Sequence, residues 1–264
     1  MKNLIIFASQ ECCSGMSEVS LLNSLCTVER ISADCDLVAN KAKEFGYNTF
    51  VYYLHNNTHP ENKRSIAKNV KNCTVVTDDN LKETLLKCDI SILLGIPAMQ
   101  GTADSFADRN YGNNWFDYWL NDQKMGQMGM INVLLSAYGI PVACVMSDVA
   151  GCKEAESIFK DAEFVVSVYD SIICPGGWQC CTPYPIKTVH ENLSRAICVA
   201  FEKSLTTPSA PKLPLTAKVE YMRTDFCDVA CSYNPNVERL DARTVSWQIS
   251  KINTLLDLAL RGEE

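Results

Sequence analysis

The 264-residue chain is 47% hydrophobic and 21% charged, with a net charge of −7; that is the composition of a globular protein long enough to bury a sizeable core. No basic block or aromatic–basic interleaving occurs, which argues against a nucleic-acid partner. No run approaches the roughly 18 apolar residues of a membrane-spanning helix, so no membrane partner is expected. The N-terminal run Leu4–Ala8 is shorter than a secretory core segment of about 7–15 residues, which points to the cytoplasm. There the fourteen cysteines are expected as reduced thiols, most of them packing as small hydrophobes, as at Cys35, Cys88, Cys144 and Cys198.

Leu4–Ala8 reads as a central strand buried on both faces. It ends in Ser9-Gln10-Glu11-Cys12-Cys13-Ser14-Gly15, the kind of loop where open α/β sheets collect functional groups. Asp34–Phe45 is an amphipathic helix with Cys35, Val38, Ala42 and Phe45 on one face, closed by Gly46. Thr49–Leu54 is a β-branched and aromatic strand followed by His55-Asn56-Asn57-Thr58-His59-Pro60. Cys73–Val76 is a short strand, Asp79–Lys87 a helix with a capping Asp, and Ile90–Leu94 a strand entering the long loop Gly95–Asn114. A loop of that length suggests a lid or binding segment. Trp115–Leu120 is a strand that turns at Asn121-Asp122.

The stretch Gly126–Ala155 repeats the grammar of a layered α/β fold. Met130, Ile131, Leu134, Leu135 and Tyr138 recur at helical spacing, Gly139 and Pro141 stop the helix, and Val142–Met146 is a buried strand. Ser147 and Asp148 offer N-cap oxygens for a helix over Cys152–Phe159, and Glu163–Val168 returns as a strand. Asp170–Pro185 reads as a second unusual loop, carrying Cys174, Trp178, Cys180 and Cys181. Ile186–Ser204 is a helix, Thr206–Pro214 a linker, Ala217–Met222 a strand, and Thr244–Ala259 a strand passing into a helix. No phosphate-binding glycine motif occurs, so a nucleotide cofactor is not supported. The fold expected is α/β, a layered αβα core with a mostly parallel sheet over residues 1–205, with a smaller C-terminal α+β part over 215–264 packed on it or continuous with it.

Asn121, Gly126-Gln127-Met128-Gly129, Ile140-Pro141-Val142, Asp148 and Lys153-Glu154-Ala155 keep the mutual spacing of a family signature. The chain resembles the zinc-dependent D-aminopeptidase family of the bacterial dipeptide-utilisation type. In that family the corresponding features are a strand ending in Asn, G-E-x-G, V-P-V, G-D-D and K/R-E-A. The resemblance implies a homo-oligomeric ring, a small amide or peptide-like substrate, and a two-zinc centre held by acids and histidines. It also places the metal ligands. The family's D-x-E-G is Ser9-Gln10-Glu11-Cys12 here, its N-D-S-H is Asn56-Asn57-Thr58-His59, its G-x-H is Gly95-Ile96-Pro97, and its G-E-x-G carries Gln127. Only Glu11 and His59 keep ligand chemistry. A second, catalytic histidine of the family falls near Asp108, Arg109 and Asn110, none of them histidine.

Two ligands do not hold zinc tightly, since even an open catalytic site normally supplies three. The two-zinc centre is therefore expected not to assemble, and no cofactor is assigned. Three readings remain. In the first, Cys12 or Cys13 supplies a thiolate with His59 as base and Glu11 beside it, acting on an amide, with Ser9, Asp108, Arg109, Asn110 and Gln127 binding substrate. In the second, Glu11, His59 and cysteine hold a single zinc or other transition metal. In the third, the protein is a non-catalytic homo-oligomeric binding or scaffold subunit.

Overall fold

The structure, a computed structural model, describes residues 2–16, 25–54, 69–174 and 178–260. In chain order the elements are β1 (Lys2–Ala8), α1 (Leu25–Glu44), β2 (Tyr47–Tyr53), β3 (Thr74–Val76), α2 (Asp78–Leu85), β4 (Ile90–Leu94), β5 (Trp115–Leu120) and β6 (Gln123–Lys124). Then follow α3 (Gln127–Ala137), β7 (Val142–Asp148), α4 (Val149–Ile158), β8 (Glu163–Cys174), β9 (Trp178–Pro183), α5 (Ile186–Glu202), β10 (Leu215–Tyr221), α6 (Thr224–Tyr233), β11 (Glu238–Arg239), β12 (Thr244–Ile249) and a 3-10 turn, Leu255–Leu258.

A seven-stranded sheet in the order β3-β2-β1-β4-β7-β8-β9 forms the centre. It is parallel from β3 through β8, with β9 antiparallel at the edge. Alternation along β1 divides the core. Leu4, Ile6 and Ala8 face α1 and α5, through Val28, Ile31, Val38, Val189, Leu193 and Ile197. Ile5 and Phe7 face the other side, where Leu81, Met128, Ile131, Leu134 and Ala155 pack from α2, α3 and α4. Continuous apolar strands need a cover on both faces, and helices supply it here. This is the layered α/β fold with a mostly parallel sheet.

A second, antiparallel sheet runs β11-β12-β10-β5-β6. Its buried Trp115, Tyr118, Ala217, Val219, Tyr221 and Val245 join the α3 side of the core. The C-terminal strands thus build their sheet with a hairpin from the middle of the chain. Asn121 and Asp122 make that hairpin's turn with φ of 46° and 62°, the left-handed region that Asn and Asp enter most readily among non-glycine residues. No helix among the described residues is long and apolar enough to cross a membrane.

Several elements differ from the sequence reading. Helix α1 begins nine residues before Asp34, because Val28 and Ile31 extend the buried stripe of Cys35, Val38 and Ala42. Thr77, not an Asp, caps α2: its N–H donates to Asn80 Oδ1 at 2.8 Å. Most of Asp170–Pro185 is not a loop but the end of β8 and all of β9, paired from Val168↔Pro183 to Cys174↔Trp178. The C-terminal segment ends in a single 3-10 turn rather than a helix, and α6 carried no expectation. Cys180 is disulfide-bonded, against the expectation of reduced thiols throughout.

Candidate active site

The strand order reverses between β1 and β4, so the crevice beyond their carboxyl ends is the topological switch point where open α/β sheets bind ligands. The chain closes that point tightly. Ser9 N–H donates to Leu94 O at 2.8 Å, Cys12 N–H to Gly95 O at 3.1 Å, and Gly95 N–H to Met146 O at 2.8 Å. Gly95 has φ +69°, and a Cβ there would lie 2.2 Å from the Ser9 carbonyl oxygen. Only glycine allows the two strand ends to meet so closely.

Three chain segments converge on this point. From the first, Glu11 is 2% exposed, and its Oε1 lies 3.9 Å from Arg109 Nε. From the long loop come Arg109, whose N–H donates to Ala98 O at 2.9 Å, and the buried Asn110, whose Nδ2 donates to Phe116 O at 3.1 Å. From the first turn of α3 comes Gln127, also buried, whose Nε2 donates to Asn110 O at 3.0 Å. Glu11 Oε2, Asn110 Oδ1 and Gln127 Oε1 are all buried with no hydrogen-bond partner among the described residues. A cavity of about 220 Å³ is lined by Gln100, Ala107, Asp108, Arg109, Asn110, Gly112, Asn113 and Met222. Burial pushes the Glu11 carboxyl up to about 7, against the opposing pull of Arg109 and its own backbone N–H.

Of the expected site residues, Asp108, Arg109 and Asn110 line the cavity, Glu11 lies beside Arg109 and Gln127 bonds the Asn110 backbone, and neither Glu11 nor Gln127 is part of the cavity lining. Asp108 Oδ2 accepts the Gly101 N–H at 2.5 Å. Ser9 is buried at the end of β1 and engages through its backbone. His59 lies outside the described residues. Cys12 and Cys13 are fully buried. Burial, then the charge of Asp148 near Cys12 and of Asp34 near Cys13, pushes both thiols well above the ordinary cysteine range. Neither is a resting thiolate, because desolvation penalises the charged form a nucleophile needs.

Two carboxylates that sequence reasoning gave no site role hold the long loop. Asp148 does more than cap α4 through Gly151 N–H at 2.6 Å. Its other oxygen accepts from Ser105 Oγ at 3.0 Å and Phe106 N–H at 2.6 Å. Glu154 Oε2 accepts the Met99 N–H at 2.6 Å. Behind the first loop, the fully buried Asp34 accepts the Ser14 N–H at 3.0 Å and pairs with His190 Nε2 at 2.8 Å. Sequence spacing carries a cap signal for Asp148 but none for contacts 42, 43 and 55 residues away.

The sequence model of the D-aminopeptidase family matches residues 79–260, well over half of the chain. The chain belongs to the D-aminopeptidase family. Its fold is similar to that of a solved structure described as the Zn-dependent D-aminopeptidase DppA from Bacillus subtilis, a self-compartmentalizing protease. The two are 14% identical with a TM-score of 0.81, over 97% of this chain and 94% of that one. A structure of eIF2B beta from Chaetomium thermophilum aligns at 13% identity over 78% of this chain and 54% of that chain, with a TM-score of 0.26, and carries no argument. Comparison with curated protein sequences gives no significant match.

Most metal-ligand positions of the family are substituted in this member. Ser9 and Gln127 bring neutral oxygens, Pro97 brings no side-chain donor, and the Gln127 amide nitrogen is already committed to Asn110. Among the described residues, no three His, Cys, Asp or Glu side chains come together as a metal-holding group. Zinc prefers thiolate, imidazole and carboxylate donors. Among the described residues, the donors at the switch point do not make up the ligand set of a zinc pair.

Proposed function

We propose that this protein acts on a small amide or peptide-like substrate in the switch-point cleft, without the two-zinc centre of its family. The observation that carries this reading is Glu11, a buried carboxylate 3.9 Å from the Arg109 guanidinium, with Arg109 also lining an open cavity of about 220 Å³. In the proposed step Arg109 donates to the substrate carbonyl oxygen, where negative charge develops as water attacks the carbon. Glu11 takes the proton that the attacking water loses and returns it to the leaving nitrogen as the C–N bond breaks. Burial and raised affinity for protons make Cys12 and Cys13 poor nucleophiles, so a thiol step is not part of the proposal.

The test is hydrolysis of D- and L-alaninamide and D-alanyl-D-alanine by the purified protein, with and without a zinc chelator. Turnover that survives chelation and is lost in Glu11→Gln supports the proposal. Turnover that disappears with the chelator and returns with zinc overturns it.

A second reading, a non-catalytic binding subunit, is favoured by the buried acceptors Glu11 Oε2, Asn110 Oδ1 and Gln127 Oε1, which meet no donor among the described residues. In either case we propose that the chain self-associates. The DppA structure is described as self-compartmentalizing, and Val229, Tyr233 and Leu240 are exposed apolar side chains on and near α6, surface of the kind subunit contacts cover. Light scattering on the purified protein distinguishes an oligomer from a monomer of 29.4 kDa.

A further inference from the structure

Far from the switch point, α6 carries two thiols one helical turn apart. Cys227 and Cys231 stand at i and i+4 within Thr224–Tyr233, which sets them one above the other on a single face with Cβ atoms about 5–6 Å apart. That face is turned to the core: Cys227 is buried in it, and Cys231 packs against it while partly exposed. Val229 and Tyr233 lie on the opposite face and are exposed. The two thiols hydrogen-bond to each other, and burial pushes the Cys227 thiol up to about 11 against the pull of the Arg239 guanidinium. That guanidinium acts electrostatically on both thiols. Three bonds fix it: Arg239 Nη1 donates to Asp228 Oδ1 at 2.6 Å, Nε to Asp241 O at 3.0 Å and Nη2 to Ala242 O at 2.8 Å.

Neither a disulfide nor zinc suits this pair. A disulfide needs Cβ atoms about 3.5–4.5 Å apart, closer than one helical turn sets them, so oxidation would have to break the end of α6. Zinc takes four protein ligands in a structural site and three in a catalytic one. No third His, Cys, Asp or Glu joins these two among the described residues. We infer that Cys227 and Cys231 form a binding site for one Cu(I) ion, held between two thiolates. Soft thiolate donors select Cu(I), and this closed-shell ion is stable with two of them. Cys231 gives entry from solvent, and Cys227 is the shielded second donor. As the ion enters, two S–Cu bonds form, both S–H protons leave to water, and copper stays Cu(I), so no electron moves. Two thiolates around one Cu(I) carry a single net negative charge, and the fixed Arg239 guanidinium supplies the opposite charge.

The test is anaerobic titration of the full, reduced chain with Cu(I) in competition with bicinchoninate, a chromogenic Cu(I) chelator. The wild type should take one tight equivalent from the chelator. Cys231→Ser and Cys227→Ala should each weaken that binding by about a hundredfold. Cys88→Ser and Cys198→Ser, which remove partly exposed thiols elsewhere, should leave it within about twofold. X-ray absorption of the copper-loaded wild type, which needs no variant to fold, should show two sulfur neighbours and no third donor. No copper taken from the chelator, unchanged binding in a folded Cys231→Ser chain, or a copper with three or more donors overturns the inference.

Discussion

Replacing Glu11 with Gln should stabilise the protein, and more so as pH rises. The carboxyl is 2% exposed, and its pKa is raised from 4.5 to about 7, chiefly by burial. The folded chain therefore holds this proton more tightly than the unfolded chain. The stability that Glu11 contributes is complete below pH 4.5 and is lost as pH rises to 7. At 1.36 kcal/mol per unit the loss is about 3 kcal/mol, of which about 2 kcal/mol falls between pH 5.5 and 8.5. Glu11→Gln keeps the shape and carries no charge to bury. Urea unfolding of both proteins at half-unit pH steps should show the variant gaining on the wild type by about 2 kcal/mol across that range. A flat difference would refute the reasoning. A wild type that gains on the variant as pH rises would refute it more sharply, since the carboxylate would then have a far stronger partner than Arg109, as a bound metal would be.

Gly95→Ala should cost several times more than Gly46→Ala in a thermal melt. Both glycines have positive φ, but a Cβ at Gly95 meets the Ser9 carbonyl at 2.2 Å while nothing lies within 4 Å of one at Gly46. The second change should cost about 1–2 kcal/mol, the left-handed penalty alone; equal losses would remove the close-approach argument. Asp148→Ala deletes a helix cap and two loop contacts, and should destabilise by about 2–4 kcal/mol with faster hydrogen exchange over residues 96–114; unchanged exchange there would show the loop is held by other means. Cys12→Ser and Cys13→Ser should leave substrate turnover within about twofold of the wild type wherever they fold, and native-state alkylation of both thiols should be slow; loss of turnover in a folded variant would restore the thiol mechanism.

The fold was legible wherever periodicity and punctuation agreed. Leu4–Ala8, Ile90–Leu94 and Val142–Met146 are apolar runs too short for helices, and each is a buried parallel strand. Met130 to Tyr138 and the Gly139 stop delimit α3 to within three residues at its start and one at its end. Legibility failed where long-range pairing decides the outcome. Residues 169–174 and 178–183 carry loop-like punctuation between them, yet the pairing of β9 on β8 makes them strand. The hairpin Trp115–Lys124 gives no local sign that its partners lie about 100 residues later in β10.

The candidate site divides in the same way. Glu11 could be named from a strand end and from the family resemblance, and Gln127, Asp108, Arg109 and Asn110 from the positions that the resemblance implies. The thiol reading rested on loop position at a strand end, and burial of Cys12 and Cys13 is set by packing that local sequence does not show. Asp148 and Glu154 could not be linked to the loop in advance, because hydrogen bonds across 40 to 55 residues leave no mark in local sequence.

The central claim concerns ion chemistry at the end of β1, and diffraction at the zinc absorption edge addresses it most directly. Crystals grown with zinc should give no pair of anomalous peaks between Glu11 and the Gly126 turn. Two peaks about 3.5–4 Å apart at that place, the spacing of a two-metal centre, would contradict the account.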